Sequence, residues 1–572
     1  MKKNLLLCLG FAVLAVFGAN AAEPTMNWAK LIESESGQVT PEDMIESGDK
    51  VYTAARFQTK SNADLLGVCF GDALDVATGA QNKATSGNYN LLLAQTDRAG
   101  APQWYAYTNY GDVYSASLGA TSDGGIVATL MVRHTNKNED GSNRVLSVVD
   151  AKGTTTAMEL TYTAWTYHIA VLKFASDGAL EWNKLIPVGD GTNDLKAWTA
   201  IDASDNVYIG GCHVLPFSVD GVEIASPKDE NSLYLVKLTS TGDFVKQFAI
   251  TGTTVTDYLD ALKIADETVY ATGRIKGDGT NSAYFGNFEI TPTTYDDVYV
   301  AAFTTDLEPK WASVVYATPW VAPSDGKKTH TTQIKGIDVS DGRVLVSGLV
   351  KGGFSTANDT DADGVSASEL IHTSSASLEG YVLEFSATDG SFDKALIHGT
   401  GISGYFAATV SDNDIYACGY SYASGEGGVL VKFDENGNKQ SSWNLVTSSG
   451  MMTGFSSSFS GKTLYASYRN RNADFNFIGS DFVIPATDDW SGVVASFNVA
   501  DIESGIVALP DVNGATVCGM DGAIRIVSEK AETFSVYDIA GRLVKSVVVE
   551  GEAAIAMPAG FYVVNGEKVI VR

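Results

Sequence analysis

The 572-residue sequence carries 68 acidic against 39 basic side chains, for a net charge of −29 at pH 7, and holds 57 glycines but only 13 prolines. That acidity, with no basic cluster to offset it, excludes nucleic acid as an expected partner. Abundant Val, Thr, Tyr and Phe, with no sustained 3.6-residue periodicity, exclude a helical chain and point to an all-β one.

Residues 1–21 read as a secretory signal. Lys2-Lys3 supply the basic start, Leu5–Phe17 the apolar core and Ala19-Asn20-Ala21 a small-residue cleavage site. The apolar run is too short to span a bilayer, so no transmembrane anchor is expected. Loss of Lys2 and Lys3 takes the mature charge from −29 to −31.

Residues 22–498 repeat one unit, clearest at Ile169–Gly211: four short alternating runs separated by turn signals such as Asp177-Gly178 and Asp205-Asn206. Its most regular run, strand b, has the pattern aliphatic, Tyr or aliphatic, any, small, usually Gly. It occurs at Val51–Ala55, Ile126–Leu130, Val207–Gly211, Val269–Gly273, Val344–Gly348, Ile415–Gly419 and Leu464–Tyr468. The small slot holds Ala54, Thr129, Gly210, Thr272, Ser347, Cys418 and Ser467. Strand a precedes it across a turn, strand c follows, and strand d carries Trp104, Trp182, Trp311 or Trp443, or Phe244 or Phe392. The seventh repeat lacks strand d, whereas Met26–Ile32 (MNWAKLI) matches Leu180–Ile186 (LEWNKLI). The two ends therefore complete each other. The expected fold is a seven-bladed β-propeller closed by its N-terminal strand, with the tryptophans packing blade to blade.

The b–c connectors are long in six repeats: Gln58–Asn90, Thr135–Tyr167, Leu215–Asn231, Gly277–Asp296, Gly352–Glu379 and Asn470–Trp490. Strand alternation gathers them on one face, with a notch at repeat 6, where only a few residues separate Tyr422 from Gly427. Short hairpins are expected inside them near Phe70-Gly71, Phe217–Gly221, Phe285–Ile290 and Phe477–Ile484. Trp320, Trp165, Tyr110 and Tyr422 fall in or beside connectors on that face, where aromatics stack on sugars or anchor proteins, or pack beneath their own loops. Asp359, Asp361 and Asp363, followed by Gly364, offer alternating hard oxygens, either a loop-type calcium site or a solvated acidic tip.

No catalytic constellation is legible: the six histidines form no HExxH, and there is no GxSxG elbow. Asp257 and Asp260 are candidates for a carboxylate pair on the channel face, which spacing alone does not fix. Cys69, Cys212, Cys418 and Cys518 make neither a zinc pattern nor a disulfide framework, and Cys212 and Cys418 read as small buried fillers.

The repeats resemble the SBBP-type β-propeller family of secreted and surface bacterial proteins, through Val171-Leu172-Lys173-Phe174, Gly178, Trp182 and Asp202…Asp205-Asn206-Val207-Tyr208…Gly211. After a linker at 499–510, residues 511–572 carry Val536-Tyr537-Asp538-Ile539-Ala540-Gly541-Arg542-Leu543-Val544, then Met557-Pro558-Ala559-Gly560-Phe561-Tyr562-Val563-Val564, and end Lys568-Val569-Ile570-Val571-Arg572. This module is similar to the type A C-terminal sorting domain of the type IX (Por) secretion system. That resemblance implies a Bacteroidetes source, export by that machinery, and release or cell-surface attachment. The alternating strands independently suggest a small β-sandwich. The expected function is non-catalytic binding of an extracellular glycan or protein through the loop-rich face. An exported polysaccharide hydrolase or lyase using channel-mouth carboxylates, or a structural surface component, are the alternatives.

Overall fold

Short runs that alternate between two faces, broken by Asp, Asn and Gly turns, form strands and little else. In the computed structural model every regular element of the described residues is a β-strand. These are residues 24–34, 37–58, 66–70, 74–78, 89–109, 112–133, 145–160, 166–189, 196–226, 231–252, 255–356, 370–398, 404–421, 427–448, 451–472, 474–499, 515–520, 522–538, 542–558, 560–564 and 567–571. The signal segment, nearly all of the linker, Tyr110, Trp165, Tyr422, Asp359, Asp361 and Asp363 lie outside them. The chain divides into two compact units, one at 23–500 and one comprising 1–22 with 501–572.

In the larger unit, antiparallel pairing repeats seven times in the order a-b-c-d. Repeat 1 is Val39–Ser47, Lys50–Gln58, Tyr89–Asp97 and Pro102–Asn109. Repeat 2 is Asp112–Ala120, Ile126–Arg133, Tyr167–Phe174 and Leu180–Gly189. Repeat 3 is Trp198–Ile201, Val207–His213, Ser232–Leu238 and Phe244–Ala249. Repeat 4 is Ala261–Ala265, Thr268–Lys276, Asp297–Thr304 and Pro309–Thr318. Repeat 5 is Thr331–Ser340, Arg343–Ser355, Leu370–Ser386 and Phe392–His398. Repeat 6 is Gly404–Ser411, Asp414–Tyr420, Gly428–Phe433 and Lys439–Ser448. Repeat 7 is Met451–Ser460, Thr463–Arg471 and Ser491–Asn498, and its fourth strand is Thr25–Ser34 from the other end of the chain. There Met26 faces Phe497 and Ile32 faces Gly492. Strand a of each repeat packs on strand a of the next, and the last packs on the first, so the inner strands form a closed cycle.

Aromatic side chains lock neighbouring repeats together. Trp28, Trp104 and Trp182 donate their indole N–H groups to Arg98, Ser176 and Ser240 carbonyls at 2.9, 3.0 and 2.8 Å, each in the c–d turn of the following repeat. Those turns carry a glycine with positive φ against the ring. At Gly100, with φ 79°, a Cβ would lie 2.6 Å from Trp28 Cγ, so this turn needs glycine both for its backbone and for the ring's approach. Where repeat 3 carries Phe244 instead of Trp, the following turn puts buried Leu307 at φ 57°.

The connector hairpins form as expected, at Leu66–Thr78, Phe217–Ile224, Ala283–Ile290 and Phe475–Ile484. One more pairs Val145–Val149 with Thr155–Glu159. Three of them hydrogen-bond to strand d of the preceding repeat: Phe70 faces Ile32, Val148 faces Thr108 and Phe477 faces Val446. Phe354, in the extension of repeat 5 strand b, likewise faces Ala317. The insertions therefore cover outer edge strands, the positions most open to unwanted strand addition.

In the smaller unit, Ala515–Met520, Ala523–Asp538, Leu543–Ala556, Gly560–Val564 and Glu567–Val571 make one antiparallel sheet. The long second strand slips register between Ser528 and Glu532, and its two halves put Ile524 and Ile526, then Phe534 and Val536, into one core with Val549, Val564 and Val569.

Candidate functional site

In all seven repeats, strand a lines the axial space. The small residue of strand b lies opposite one level of strand a: Asp43, Ser117, Trp198, Ala261, Gly336, Ala407 and Ser456. One residue earlier the register slips in repeats 1, 5, 6 and 7, between Pro41 and Asp43, Ile334 and Gly336, Tyr405 and Ala407, and Gly454 and Ser456. Such a bulge leaves one residue outside the ladder and re-aims its side chain. The bulged residues are Glu42, Lys335, Phe406 and Phe455; Asp260 takes the same level in repeat 4.

The carboxylates at this level are tightly paired. Glu42 accepts Arg56 Nε at 2.6 Å. Asp260 accepts Arg274 twice, at 2.8 and 3.1 Å. Asp43 takes the amides of Met44 and Leu118, both at 2.8 Å. Lower in the channel, Asp338 meets Lys263 Nζ at 3.1 Å and the Thr409 hydroxyl at 2.7 Å. Burial raises the carboxyls of Glu42 and Asp43, against the opposing pull of Arg56 and Lys196 on the first and of Lys196 on the second. Burial likewise lowers Lys335, with Asp260 opposing the shift and Lys196 adding to it.

Between this level and the a–b turns lies a cavity of about 420 Å3. Its wall includes Asp43, Trp198, Thr199, Lys263, Lys335 and the Ser456–Ser458 run. Trp198 is fixed by its indole N–H on the Leu259 carbonyl at 3.1 Å, and Lys196 Nζ stands 3.8 Å from the ring centroid.

Of the residues singled out in the sequence, Trp320 is half-buried in a hairpin pairing it with Thr329, with Lys351 Nζ 5.6 Å from its ring. Asp257 and Asp260 do not make a channel pair. Asp257 is fully buried and caps the Leu233 amide, while Asp260 is taken by Arg274. Cys212 and Cys418 are buried thiols, and Cys212 Sγ accepts the Leu259 amide at 3.0 Å. Glu42 and Lys335 escape sequence reading because their placement at one level depends on the bulges. The signal available was charge next to aliphatic residues in strand a, at Glu42-Asp43 and Lys335. Among the described residues no group of three or more His, Cys, Asp and Glu side chains could hold a metal ion. No helix among them is long and apolar enough to cross a membrane.

No family model and no curated protein matches the chain. Among solved structures it is similar to the β-propeller domain of the Trilobed protease from Pyrococcus furiosus, at 9% identity, covering 79% of this chain and 99% of that one, with a TM-score of 0.33. A protein of unknown function from Dyadobacter fermentans matches at 9% identity over 82% of this chain and 99% of that one, TM-score 0.34. A neuraminidase-like protein of A/little yellow-shouldered bat/Guatemala matches at 7% over 67% and 94%, TM-score 0.31.

Proposed function

We propose that the chain is a secreted or cell-surface binding protein without catalytic activity. In this reading its seven four-strand sets are the blades of one β-propeller, and 511–572 is a sandwich-like sorting module that delivers it through type IX secretion. The ligand is an extracellular glycan or protein, held on the face built by the b–c and d–a connectors. Asp359, Asp361 and Asp363 bind calcium in the fifth connector.

The observation that carries the non-catalytic reading is the state of the channel carboxylates. Glu42, Asp260 and Asp338 are each held by a cation, and Asp43 by two backbone amides. Glycoside hydrolysis needs two carboxyls across the scissile bond, one poised to give a proton and one left to act as base or nucleophile. Here the groups are fixed in structural pairs. A second reading, an exported polysaccharide hydrolase or lyase, draws on the upward shift of Glu42 and Asp43, the state that suits a general acid. The test is the mature chain on arrays of extracellular glycans and proteins, with Trp320→Ala beside it. The binding reading requires a hit that Trp320→Ala weakens. An array with no hit, or a hit indifferent to that change, contradicts binding through this face.

A further inference from the structure

The axial cavity has the parts of a ligand site that the connector face does not supply. Its volume of about 420 Å3 falls within the range of small-molecule sites. Hydroxyls crowd its wall: Ser117, Thr199, Ser456, Ser457, Ser458 and Ser460.

The charges of the wall are unevenly matched. Lys263 is taken by Asp338, Glu46 by Arg98 and the Tyr465 hydroxyl, and Asp43 by two backbone amides. Lys335 lines the same cavity and makes no ion pair within reach of a carboxylate among the described residues. A partly desolvated ammonium without a counter-ion is stabilised by an incoming anion. Trp198, locked by its bond to Leu259, adds a flat apolar surface to the same wall. Hydroxyl groups, one unmatched cation and one fixed aromatic ring together describe the complement of an acidic sugar.

We propose that this cavity binds a carboxylate-bearing sugar, a uronic acid or the uronic acid end of an oligosaccharide. Lys335 receives the carboxylate, the Ser hydroxyls with Asp43 receive the ring hydroxyls, and Trp198 lies along the ring. The site is on the axis, apart from the connector face, so it stands or falls separately from binding there.

Isothermal titration of the mature full-length chain with D-glucuronate, D-galacturonate and D-glucose at low salt tests it. The expected result is saturable binding of a uronate, with glucose weaker by about tenfold or more, the loss expected when a charge-assisted bond is missing. Lys335→Met lowers uronate affinity by a similar factor. Trp198→Leu, which removes the flat ring but keeps apolar volume in the wall, weakens uronate binding severalfold. Trp198→Leu decides the matter even where Lys335→Met fails to fold. No uronate binding, glucose binding equal to uronate, or uronate binding untouched by Trp198→Leu overturns the proposal.

Discussion

The indole N–H of Trp28 meets the carbonyl oxygen of Arg98 at 2.9 Å, joining strand d of the last repeat to the first across the point where the two ends of the ring come together. The same contact recurs inside the chain, from Trp182 to Ser240. The junction between the ends is thus built like the junctions that the chain makes without a break.

Trp28→Ala removes both the hydrogen bond and a ring that is 6% exposed, and is expected to cost about 3–5 kcal/mol. Trp28→Phe, which keeps most of the packing, costs about 1 kcal/mol more than the loss of area alone, the usual net value of one hydrogen bond. Trp182→Ala falls in the same range. Urea unfolding of the three variants measures this.

Proline in place of Ala29 tests closure directly. Ala29 faces Ala495 within the strand that completes repeat 7, where proline removes a ladder donor and clashes. Ala29→Pro is expected to lower the unfolding free energy by about 3 kcal/mol or more, whereas Val245→Pro, on a strand d with an exposed side chain, is milder.

Acid should weaken the larger unit through its buried histidines. Burial depresses His168 and His330 to about 4 and lowers His213 as well. Unfolded histidine takes a proton near 6.5, so these groups contribute stability that is full above that pH and is lost as pH falls toward 4. His168 and His330 each contribute on the order of 1–3 kcal/mol. Asp297 works in the other sense: burial raises it to about 7, so its contribution is full below the ordinary carboxyl value and is lost as pH rises through 7. Glu42, Asp43 and Asp112, also raised by burial, act in the same sense as Asp297, so the histidine contribution is read from variants against the wild-type change in melting temperature between pH 6.5 and 4. His330→Phe raises the pH 4 value relative to that at pH 6.5, and Asp297→Asn lowers it.

Calcium at the fifth connector predicts a shift by mass action. Millimolar calcium raises the melting temperature, EDTA reverses it, and Asp361→Asn abolishes both, since a ligand bound only to the folded state stabilises it. A melting temperature indifferent to EDTA removes calcium from the account.

Much of the architecture was legible because strand b repeats its small slot. Ala54, Thr272 and Ser347 are all buried to 1% exposure or less. The copy of Leu180–Ile186 at Met26–Ile32 gave the closure, which pairs as expected with Gly492–Asn498. The axial site was not legible. Glu42 and Lys335 face one space only because the register slips beside them, and a slip of one residue leaves no mark on period-two alternation. Asp257 and Asp260 show the converse: close in sequence, they go to a backbone amide in the core and to Arg274. The tyrosines opposite strand-b glycines also passed unnoticed, as with Tyr299 against Gly273, where a Cβ would fall 1.8 Å from the Tyr258 carbonyl oxygen.

The central claim, binding without catalysis, is tested most directly by incubating the mature chain with each polysaccharide it retains on an array and measuring new reducing ends and unsaturated products. The account predicts retention with no turnover above buffer, for the wild type and for Glu42→Gln and Asp260→Asn alike. Turnover by the wild type that either single substitution abolishes would contradict it and make the channel a catalytic site.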